Sequence, residues 1–256
     1  MNLGLTGKTA LVVGASGGIG RAIAIALAGE GARVAIVGRD RDELEATFRL
    51  IETGRGAGIA LAADVLELDE PGWRELRLRI EEDLGTVEVL VYAAAAPDRP
   101  ARVPNIAPEH WAEVLATDLT GLWQCLSEFL PPMAQKGWGR VIALGSLMGS
   151  QGGFSEGAYA AAKGGLAGLV KTVAQEYARK GITANVVVPG RIATRRTAGL
   201  NERVAEAMRR AIPLRREGTP EEVAAVVAFL ASEQASYVTG AEIPVTGGRE
   251  LGMLAL

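Results

Sequence analysis

The stretch Thr9-Ala-Leu-Val-Val-Gly-Ala-Ser-Gly-Gly-Ile-Gly20 decides the fold. Five residues typical of a buried strand lead into a glycine-rich turn, which opens a segment of helical periodicity. In such a turn the small residues let backbone N–H groups approach a pyrophosphate, and the helix N-terminus adds partial positive charge. Glycines also serve ordinary tight turns, so the turn alone leaves dinucleotide binding and a purely structural role open. The residues that would hold a dinucleotide here are Gly14, Ser16, Gly18, Ile19 and Gly20.

Short apolar runs recur along the rest of the chain, and each is followed by a longer segment of helical period. Such runs are typical of strands buried on both faces, and repeated strand, helix, strand units build a parallel sheet covered by helices. Strands are predicted at 9–13, 33–37, 58–62, 87–91, 141–144 and 183–187, and helices at 19–30, 41–53, 71–84, 108–133 and 158–179. The predicted fold class is α/β, a doubly wound parallel sheet in a single domain, 1–256. The stretch 191–217 breaks the alternation and is expected to be a substrate loop.

The composition limits the class of protein. The chain of 256 residues has 27 Lys and Arg against 30 Asp and Glu, with one His and one Cys. This balance excludes a polybasic nucleic-acid-binding protein and a disulfide scaffold, and no metal site is expected. The nearly apolar stretch 87–97 is about half of the roughly 20 residues that a membrane helix needs, and 1–6 lacks the basic start of a secretory signal. We therefore expect a cytoplasmic protein with neither a nucleic-acid nor a membrane partner, and Cys125 as a packed thiol.

The residues after the second strand bear on the choice of dinucleotide. Gly38 offers no carboxylate for a ribose hydroxyl, whereas Arg39 could hold a 2′-phosphate through two hydrogen bonds, so NADP is favoured. Asp40 lies about 20 residues beyond the glycine turn, which is the separation of a ribose-binding acid, and keeps NAD open. Its other interpretation is the N-cap of the helix that follows. Beyond the third strand, Asp64 and Val65 are expected to contact the adenine, although an Asp there also suits a plain turn.

A second constellation follows the fifth strand. Ser146 stands at the end of that strand, and Tyr159 and Lys163 come next on a helical segment, four residues apart and therefore on one helix face. At an effective dielectric near 20, a cation about 4 Å from a phenolate stabilises it by roughly 4 kcal/mol. Tyr159 is thus a candidate general acid or base for a carbonyl and alcohol pair, with Ser146 donating a hydrogen bond to the substrate oxygen. A half-buried Tyr beside a snorkelling Lys is the structural alternative.

With these residues in this order along the chain, the sequence resembles the short-chain dehydrogenase/reductase family, near its 3-oxoacyl-acyl-carrier-protein reductase branch. The resemblance runs from about Leu5 to the C-terminal segment, and it is carried by Gly14, Gly18, Gly20, Asp64, Ser146, Tyr159, Lys163, Pro189, Gly190, Thr194 and 237–248. It implies one Rossmann-type domain with seven parallel strands, hydride transfer at nicotinamide C4, and a homotetramer. It also implies a ribose contact from Lys163 and further cofactor contacts from Ala94, Pro189, Gly190, Ile192 and Thr194.

Three places depart from the family pattern. The family has Thr before the first glycine of the turn and Asn-Asn-Ala-Gly after the fourth strand, where this chain has Val13 and Tyr92-Ala-Ala-Ala95. Asp118 stands where the family places the Asn of a proton relay to Lys163. An ionised Asp118 would hold Lys163 as an ammonium and compete with the phenolate of Tyr159 for that charge, so an altered pH dependence is expected. A purely structural role of Asp118 in a helix kink is the alternative.

The sequence around the expected substrate-binding region does not identify one substrate. The segment 135–140 has fewer basic residues than an acyl-carrier docking patch, and His110 is expected to be a surface residue rather than a base. An apolar pocket wall is predicted from Leu147, Met148 and Phe154. Three arginines of the stretch 191–217 have two interpretations. Arg191, Arg195 and Arg196 either bind a carboxylate or the cofactor phosphates, or they form a solvated loop face.

These observations predict an NADP-preferring carbonyl reductase or alcohol dehydrogenase that acts on a small-molecule substrate and is similar to 3-oxoacyl reductases. A sugar or secondary-alcohol dehydrogenase that uses NAD is one alternative. The alternative from another class is a dinucleotide-binding regulatory protein without turnover, which Asp118 and the 92–95 turn favour. The intact set of Ser146, Tyr159 and Lys163 favours the enzyme.

Overall fold

Seven parallel strands in one sheet form the centre of the protein. The computed structural model describes residues 2–54, 56–97, 99–195, 197 and 202–251. The strands are β1 (Thr9–Val13), β2 (Arg33–Gly38), β3 (Ala57–Ala62), β4 (Val89–Tyr92), β5 (Gly139–Leu144), β6 (Ile182–Pro189) and β7 (Glu242–Val245). Their order across the sheet is β3-β2-β1-β4-β5-β6-β7, and every neighbouring pair is parallel. The predicted doubly wound α/β class is confirmed.

Helices cover both faces of this sheet. They are α1 (Gly18–Gly29), α2 (Arg41–Thr53), α3 (Glu70–Leu84), α4 (Pro108–Leu115), α5 (Gly121–Lys136), α6 (Met148–Gln151), α7 (Gly157–Tyr177), α8 (Glu202–Arg210) and α9 (Pro220–Ala231). On one face α1 contacts α2 and α9, and on the other α5 contacts α3 and α7. Among the helices in the described ranges, none combines the length and the apolar composition that crossing a bilayer requires.

The segment predicted as one helix, 108–133, is instead two helices, α4 and α5, joined by a π-helical turn, Ala116–Thr120. In this turn the carbonyl of Thr117 accepts a hydrogen bond from the hydroxyl of Tyr92 at 2.6 Å. The side chain of Asp118 points into the protein and is 0% exposed. A π turn widens the helix by one residue and so redirects the side chains it carries. The interruption therefore aims Asp118 inward, which a continuous α-helical pattern does not predict.

Each face of the sheet has its own hydrophobic core. Successive side chains of a strand point to opposite faces, so Leu11 and Val13 belong to the core under α3, α5 and α7. Ala10 and Val12 belong to the core under α1 and α9. Cys125 is 0% exposed within the first core, and burial raises the pKa of its thiol. The prediction of a packed thiol is confirmed.

The order of the strands determines where a ligand can lie. From β1 the chain runs outward to β2 and β3 on one side, and β4 then returns to pair with the other edge of β1. At such a reversal the loops that leave β1 and β4 diverge to opposite faces of the sheet and open a crevice at the carboxyl ends of the strands. The glycine turn leaves β1 and the 92–95 turn leaves β4, so two of the three departures from the family pattern, Val13 and the 92–95 turn, border this crevice.

A buried carboxylate lies at the opposite, amino-terminal edge of the sheet. Glu88 is 5% exposed, accepts a hydrogen bond from Nζ of Lys8 at 3.0 Å, and lies 3.1 Å from Nζ of Lys136. Burial alone would raise the pKa of the Glu88 carboxyl, but the hydrogen bonds and charges of the two ammonium groups outweigh it and hold the pKa below its ordinary value. The ionised form of Glu88 is therefore part of the folded structure.

We expect Glu88→Gln to lower the free energy of unfolding at pH 7 by about 1.5–3 kcal/mol, because hydrogen bonds to charged groups contribute about that much. A carboxyl with a lowered pKa stabilises the fold above its unfolded pKa, near 4.5, and loses that contribution as the pH falls through the folded pKa. Urea unfolding of both proteins should therefore show a difference at pH 7 that shrinks below pH 4.5. The control is Glu82→Gln, whose side chain is 73% exposed. Equal stability of wild type and Glu88→Gln at pH 7 would contradict this role.

Candidate active site

The turn after β1 requires glycine at two positions because other backbone approaches it closely. Gly14 has φ +90°, and a Cβ there would lie 2.5 Å from the backbone nitrogen of Ala94. A Cβ at Gly20 would lie 2.1 Å from the carbonyl oxygen of Gly14. The turn ends at Gly17, the N-cap of α1, which has no side chain to bond the first N–H groups of that helix. These N–H groups are therefore available to an anion at the helix N-terminus.

A cleft of about 870 Å³ follows the carboxyl ends of the strands from the glycine turn to the loops after β6 and β7. Every residue predicted to contact a cofactor lines this cleft: Gly14, Ser16, Gly18, Ile19, Gly20, Arg39, Asp64, Val65, Ala94, Tyr159, Lys163, Pro189, Gly190, Ile192 and Thr194. Ser146 lines it as well, whereas Asp118 does not. The structure thus brings the predicted cofactor residues and three of the four predicted catalytic residues to one surface.

At the β2 end of the cleft, Gly38 leaves room for the hydroxyl of Ser16. A Cβ at Gly38 would lie 2.2 Å from Oγ of Ser16, and Arg39 is exposed on the cleft wall. Asp40 is used elsewhere, because its Oδ1 accepts a hydrogen bond from the backbone N–H of Glu43 at 3.0 Å and so caps α2. The N-cap interpretation of Asp40 is confirmed. This end of the cleft therefore presents a hydroxyl and a guanidinium, both of which suit a phosphate.

Asp64 occupies the turn after β3 in a way that fits both of its interpretations. Its Oδ1 accepts a hydrogen bond from the backbone N–H of Leu66 at 3.1 Å, as an Asp in a simple turn does. The residue also lines the cleft, together with Val65. A carboxylate accepts several hydrogen bonds, so the turn leaves acceptor capacity on Asp64 for a ligand.

Lys163 is held in the protein interior by two acceptors. Its Nζ lies 3.1 Å from Oδ2 of Asp118 and donates to the carbonyl of Leu144, at the end of β5, at 2.9 Å. The other carboxylate oxygen, Oδ1 of Asp118, accepts from the backbone N–H of Ala96 at 2.7 Å. Asp118 therefore links the loop after β4 to the lysine of α7 without reaching the cleft. By this geometry Asp118 contacts the cleft residues through Lys163.

Tyr159 and Ser146 lie on the cleft wall beside this lysine. Tyr159 is half-buried on the first turn of α7, and Nζ of Lys163 is 5.5 Å from the centre of its ring. Oγ of Ser146 accepts a hydrogen bond from the backbone N–H of Met148 at 3.2 Å. Because that bond uses a lone pair of the oxygen, the Ser146 proton stays available for donation to a ligand. The one-face arrangement predicted from the spacing of Tyr159 and Lys163 is confirmed.

The two departures next to the crevice both have defined contacts. Val13 is 0% exposed in the core, and its carbonyl accepts from the backbone N–H of Ala93 at 2.8 Å. Tyr92 is buried, and its hydroxyl bonds the carbonyl of Thr117. Burial, reinforced by the nearby Cys125 and Asp118, raises the pKa of the Tyr92 hydroxyl, which stays protonated as a donor. The hydroxyl of Tyr92 and the carboxylate of Asp118 therefore hold this part of the crevice.

Several expectations about the substrate region need correction. Leu147 is 5% exposed in the core rather than on the cleft wall, where Met148 and Phe154 lie. The segment 135–140 leads into the amino end of β5, on the edge of the sheet opposite the cleft, so its charge has no bearing on the cleft mouth. His110 is half-buried rather than on the surface, because α4 packs it into a small hollow that Tyr159 also lines.

The loop arginines have different surroundings. Arg191 does not line the cleft and is paired with Glu217 at 2.5 Å. Arg195 lines the cleft and pairs across it with Glu43 of α2. Arg196 lies outside the described residues. The hypothesis of a carboxylate site or phosphate site on these arginines is thus contradicted for Arg191, which is already neutralised.

The side chains on the cleft wall that the sequence analysis missed include Glu156, Met208 and Arg249. Glu156 directly precedes α7, and its closeness to Tyr159 in sequence is a signal that could have identified it. Met208 lies in α8, well after β6, and Arg249 lies in the C-terminal turn, 246–251, which follows β7. Only the folding of these two segments brings both residues to the cleft.

Comparison with known proteins agrees with this geometry. The family model for enoyl-(acyl carrier protein) reductase matches residues 14–250. The chain is 38% identical over 242 residues to a 3-oxoacyl-(acyl-carrier-protein) reductase of Staphylococcus epidermidis, which covers 94% of this chain and 98% of that protein. It is 34% identical, with a TM-score of 0.93, to a structure from Sinorhizobium meliloti 1021 described as a short-chain alcohol dehydrogenase, over 99% of this chain and 100% of the other.

A third relative was solved with a nicotinamide cofactor. This is a single-substitution variant of actinorhodin polyketide ketoreductase with NADPH, 31% identical, with a TM-score of 0.89 over 94% of this chain and 97% of the other. A family model over nearly the whole chain, identity above 30% and a shared sheet agree with one another. This chain belongs to the short-chain dehydrogenase/reductase family of oxidoreductases.

Proposed function

We propose that the protein is an NADP-preferring carbonyl reductase or alcohol dehydrogenase in which Tyr159 transfers the proton. The observation that carries this proposal is the wall of the cleft where Ser146, Tyr159 and Lys163 lie together, with the ammonium 5.5 Å from the tyrosine ring centre. A phenol beside a cation can release and regain a proton at a substrate oxygen, and a neighbouring hydroxyl can hold that oxygen.

The cleft has features that fit a dinucleotide. Gly17, the N-cap of α1, has no side chain, so the first backbone N–H groups of this helix are left for a pyrophosphate. The hydroxyl of Ser16 and the guanidinium of Arg39 suit a 2′-phosphate. Further contacts would come from Asp64, Val65, Ala94, Lys163, Pro189, Gly190, Ile192 and Thr194. When bound, the nicotinamide supplies or accepts a hydride.

The residues of this chain would handle the proton. In the reducing direction, the hydroxyl of Ser146 donates a hydrogen bond to the carbonyl oxygen and Tyr159 gives that oxygen its proton. The ammonium of Lys163 stabilises the phenolate that forms, because opposite charges attract strongly where water is excluded. In the oxidising direction the same phenolate removes the proton of the alcohol.

The substrate is proposed to be a ketone similar to that of 3-oxoacyl reductases, with the corresponding secondary alcohol as product. Met148 and Phe154 support an apolar substrate portion because both line the cleft. We propose that 191–217 forms the substrate loop, since Ile192, Thr194 and Met208 line the cleft from it. The cytoplasmic location, the single-domain span and the homotetramer stay predictions.

The rival proposal, a dinucleotide-binding regulator without turnover, was favoured by Asp118 and the 92–95 turn. Both features have partners that keep the crevice formed, as described above for Tyr92 and Asp118. These two features therefore support a regulator without turnover less strongly than the sequence alone does.

A substrate panel with both cofactors tests the proposal. Purified protein is incubated with NADPH or NADH and 3-oxoacyl thioesters, β-keto esters, cyclic ketones and keto sugars, and oxidation of the cofactor is followed by absorbance. Reduction of at least one ketone, faster with NADPH, is the expected result. Cofactor binding without turnover across the panel would favour the regulator instead, and turnover of keto sugars with NADH would favour the sugar dehydrogenase.

The choice of cofactor is expected to depend on Arg39. Arg39→Asp should lower the ratio of kcat/KM for NADPH to that for NADH by about 10- to 100-fold, because a charge-assisted hydrogen bond contributes about 1.5–3 kcal/mol. The control Arg41→Asp makes the same charge change two residues away, at the first residue of α2. An unchanged ratio in Arg39→Asp, or an equal change in the control, would contradict the role of Arg39.

A further inference from the structure

Arg249 differs from the other buried and half-buried arginines. The others donate hydrogen bonds or ion pairs to acceptors of the protein, and they are Arg21, Arg77, Arg140, Arg191 and Arg209. Arg249 is half-buried as well, yet in the ranges that the structure describes it has neither a hydrogen bond nor an ion pair. Because Arg249 lines the cleft, its guanidinium can bind an anion that enters there.

Arg249 follows β7 and is therefore far from the adenosine end of the cleft. Arg39 follows β2 and Arg249 follows β7, and five strand spacings lie between those strands. At about 4.8 Å for each spacing, the two strand ends are roughly 24 Å apart. A phosphate held by Arg39 is thus beyond the reach of Arg249. Ser146 follows β5, two spacings from β7, so Arg249 lies at the substrate end of the cleft.

The C-terminal turn presents Arg249 in a fixed position. The backbone N–H of Leu214 donates to the carbonyl of Gly247 at 3.2 Å, and the N–H of Gly248 donates to Oγ1 of Thr246 at 3.2 Å. The hydroxyl of Thr246 also bonds the carboxylate of Glu250. The carboxylate nearest in sequence to Arg249 is therefore used to close the turn.

Two other cations of the cleft wall have carboxylate partners in the protein. Lys163 is paired with Asp118, and Arg195 is paired with Glu43. Glu156, a carboxylate on this part of the wall, also has an interaction. Among the cleft cations described by the structure, this leaves Arg39 for the cofactor and Arg249 for a second anion.

We propose that Arg249 binds a carboxylate of the substrate, so that the preferred substrates are oxo acids or the corresponding hydroxy acids. The proposal rests on the proposed function, because it takes carbonyl reduction as the reaction of the same cleft. A guanidinium bonds a carboxylate through two parallel hydrogen bonds, which fixes the orientation of the substrate as well as its affinity. The carbonyl then lies toward Ser146 and Tyr159 while the acid end lies against the C-terminal turn.

Matched pairs of substrates test this assignment. The panel consists of linear oxo acids with the ketone two to five carbons from the carboxylate, together with their methyl esters. For the best acid, Arg249→Ala is expected to lower kcat/KM by about 10- to 100-fold while changing the value for its ester by less than about threefold. Arg249→Lys, which keeps the charge but not the paired hydrogen bonds, should give an intermediate loss for the acid.

Two controls separate this site from general effects. Arg179→Ala removes the same charge from an exposed turn, Ala178–Lys180, that precedes β6 at the edge of the sheet away from the cleft. Its kinetics should match those of the wild type. Affinity for NADPH, measured by fluorescence, should be the same in all variants.

Calorimetry with the complex of the protein and NADP⁺, which cannot reduce an oxo acid, separates binding from turnover. Tight binding of an acid that Arg249→Ala weakens, in a protein that reduces no ketone, would leave the carboxylate site standing and overturn the proposed reaction. The carboxylate site itself is overturned if the wild type handles acids no better than esters, or if Arg249→Ala affects both equally.

Discussion

Replacement of Tyr159 by phenylalanine is expected to lower kcat by about 10²–10⁴-fold, which is the range that a positioned general acid or base contributes. The substitution removes only the hydroxyl oxygen, so the ring that lies 5.5 Å from Nζ of Lys163 keeps its place on the cleft wall. Ser146 can still donate its hydrogen bond to the substrate oxygen, so the loss reports the proton transfer. Steady-state reduction of the best ketone, followed by cofactor absorbance, measures the loss.

The matched control is Tyr177→Phe, since this tyrosine is the last residue of the same helix, α7, and packs beside the core far from the cleft. Its kinetics should equal those of the wild type. Both variants should keep cofactor affinity largely intact, measured by quenching of intrinsic fluorescence. Activity within a few-fold of the wild type in Tyr159→Phe would show that another acid carries the proton and would remove the main support of the proposed reaction.

The parts of the fold that local signals determine could be predicted from the sequence. Strand β1 and helix α2 begin and end at the predicted residues. For α2 the reason is the cap, because Asp40 bonds the N–H of Glu43 at its start and Gly54 stands at its end. Most of the predicted cofactor residues reach the cleft because they lie at the carboxyl ends of parallel strands, which meet at one edge of the sheet, whereas Tyr159 and Lys163 reach it from α7.

Other parts depend on contacts between distant segments, and a local pattern does not contain them. The π turn between α4 and α5 contains the Thr117 carbonyl that Tyr92 bonds, 25 residues away along the chain. Helix α9 is a different case, since Thr219 and Glu222 form a capping box that the sequence does show and that the prediction missed. Arg249 reaches the cleft only because β7 pairs with β6, so its role had no local signal.

Loss of the Asp118 side chain is expected to destabilise the protein strongly. Asp118→Ala removes the carboxylate 3.1 Å from Nζ of Lys163 and also the acceptor of the Ala96 N–H. Both groups are buried, and breaking a buried ion pair by removing one partner lowers stability by about 3–5 kcal/mol. Urea unfolding measures this loss. Asp118→Asn is the matched comparison, because its amide oxygen can still accept from Ala96, and its loss should be smaller.

Asp118→Asn also separates a structural role of this residue from an effect on the chemistry. The negative charge of Asp118 offsets the positive charge of Lys163, so its removal leaves more positive potential at Tyr159. A positive potential favours the phenolate that alcohol oxidation needs. The pH–rate profiles of the wild type and of this variant for oxidation should therefore differ. Superimposable profiles of the wild type and Asp118→Asn would restrict Asp118 to holding the π turn and the loop after β4.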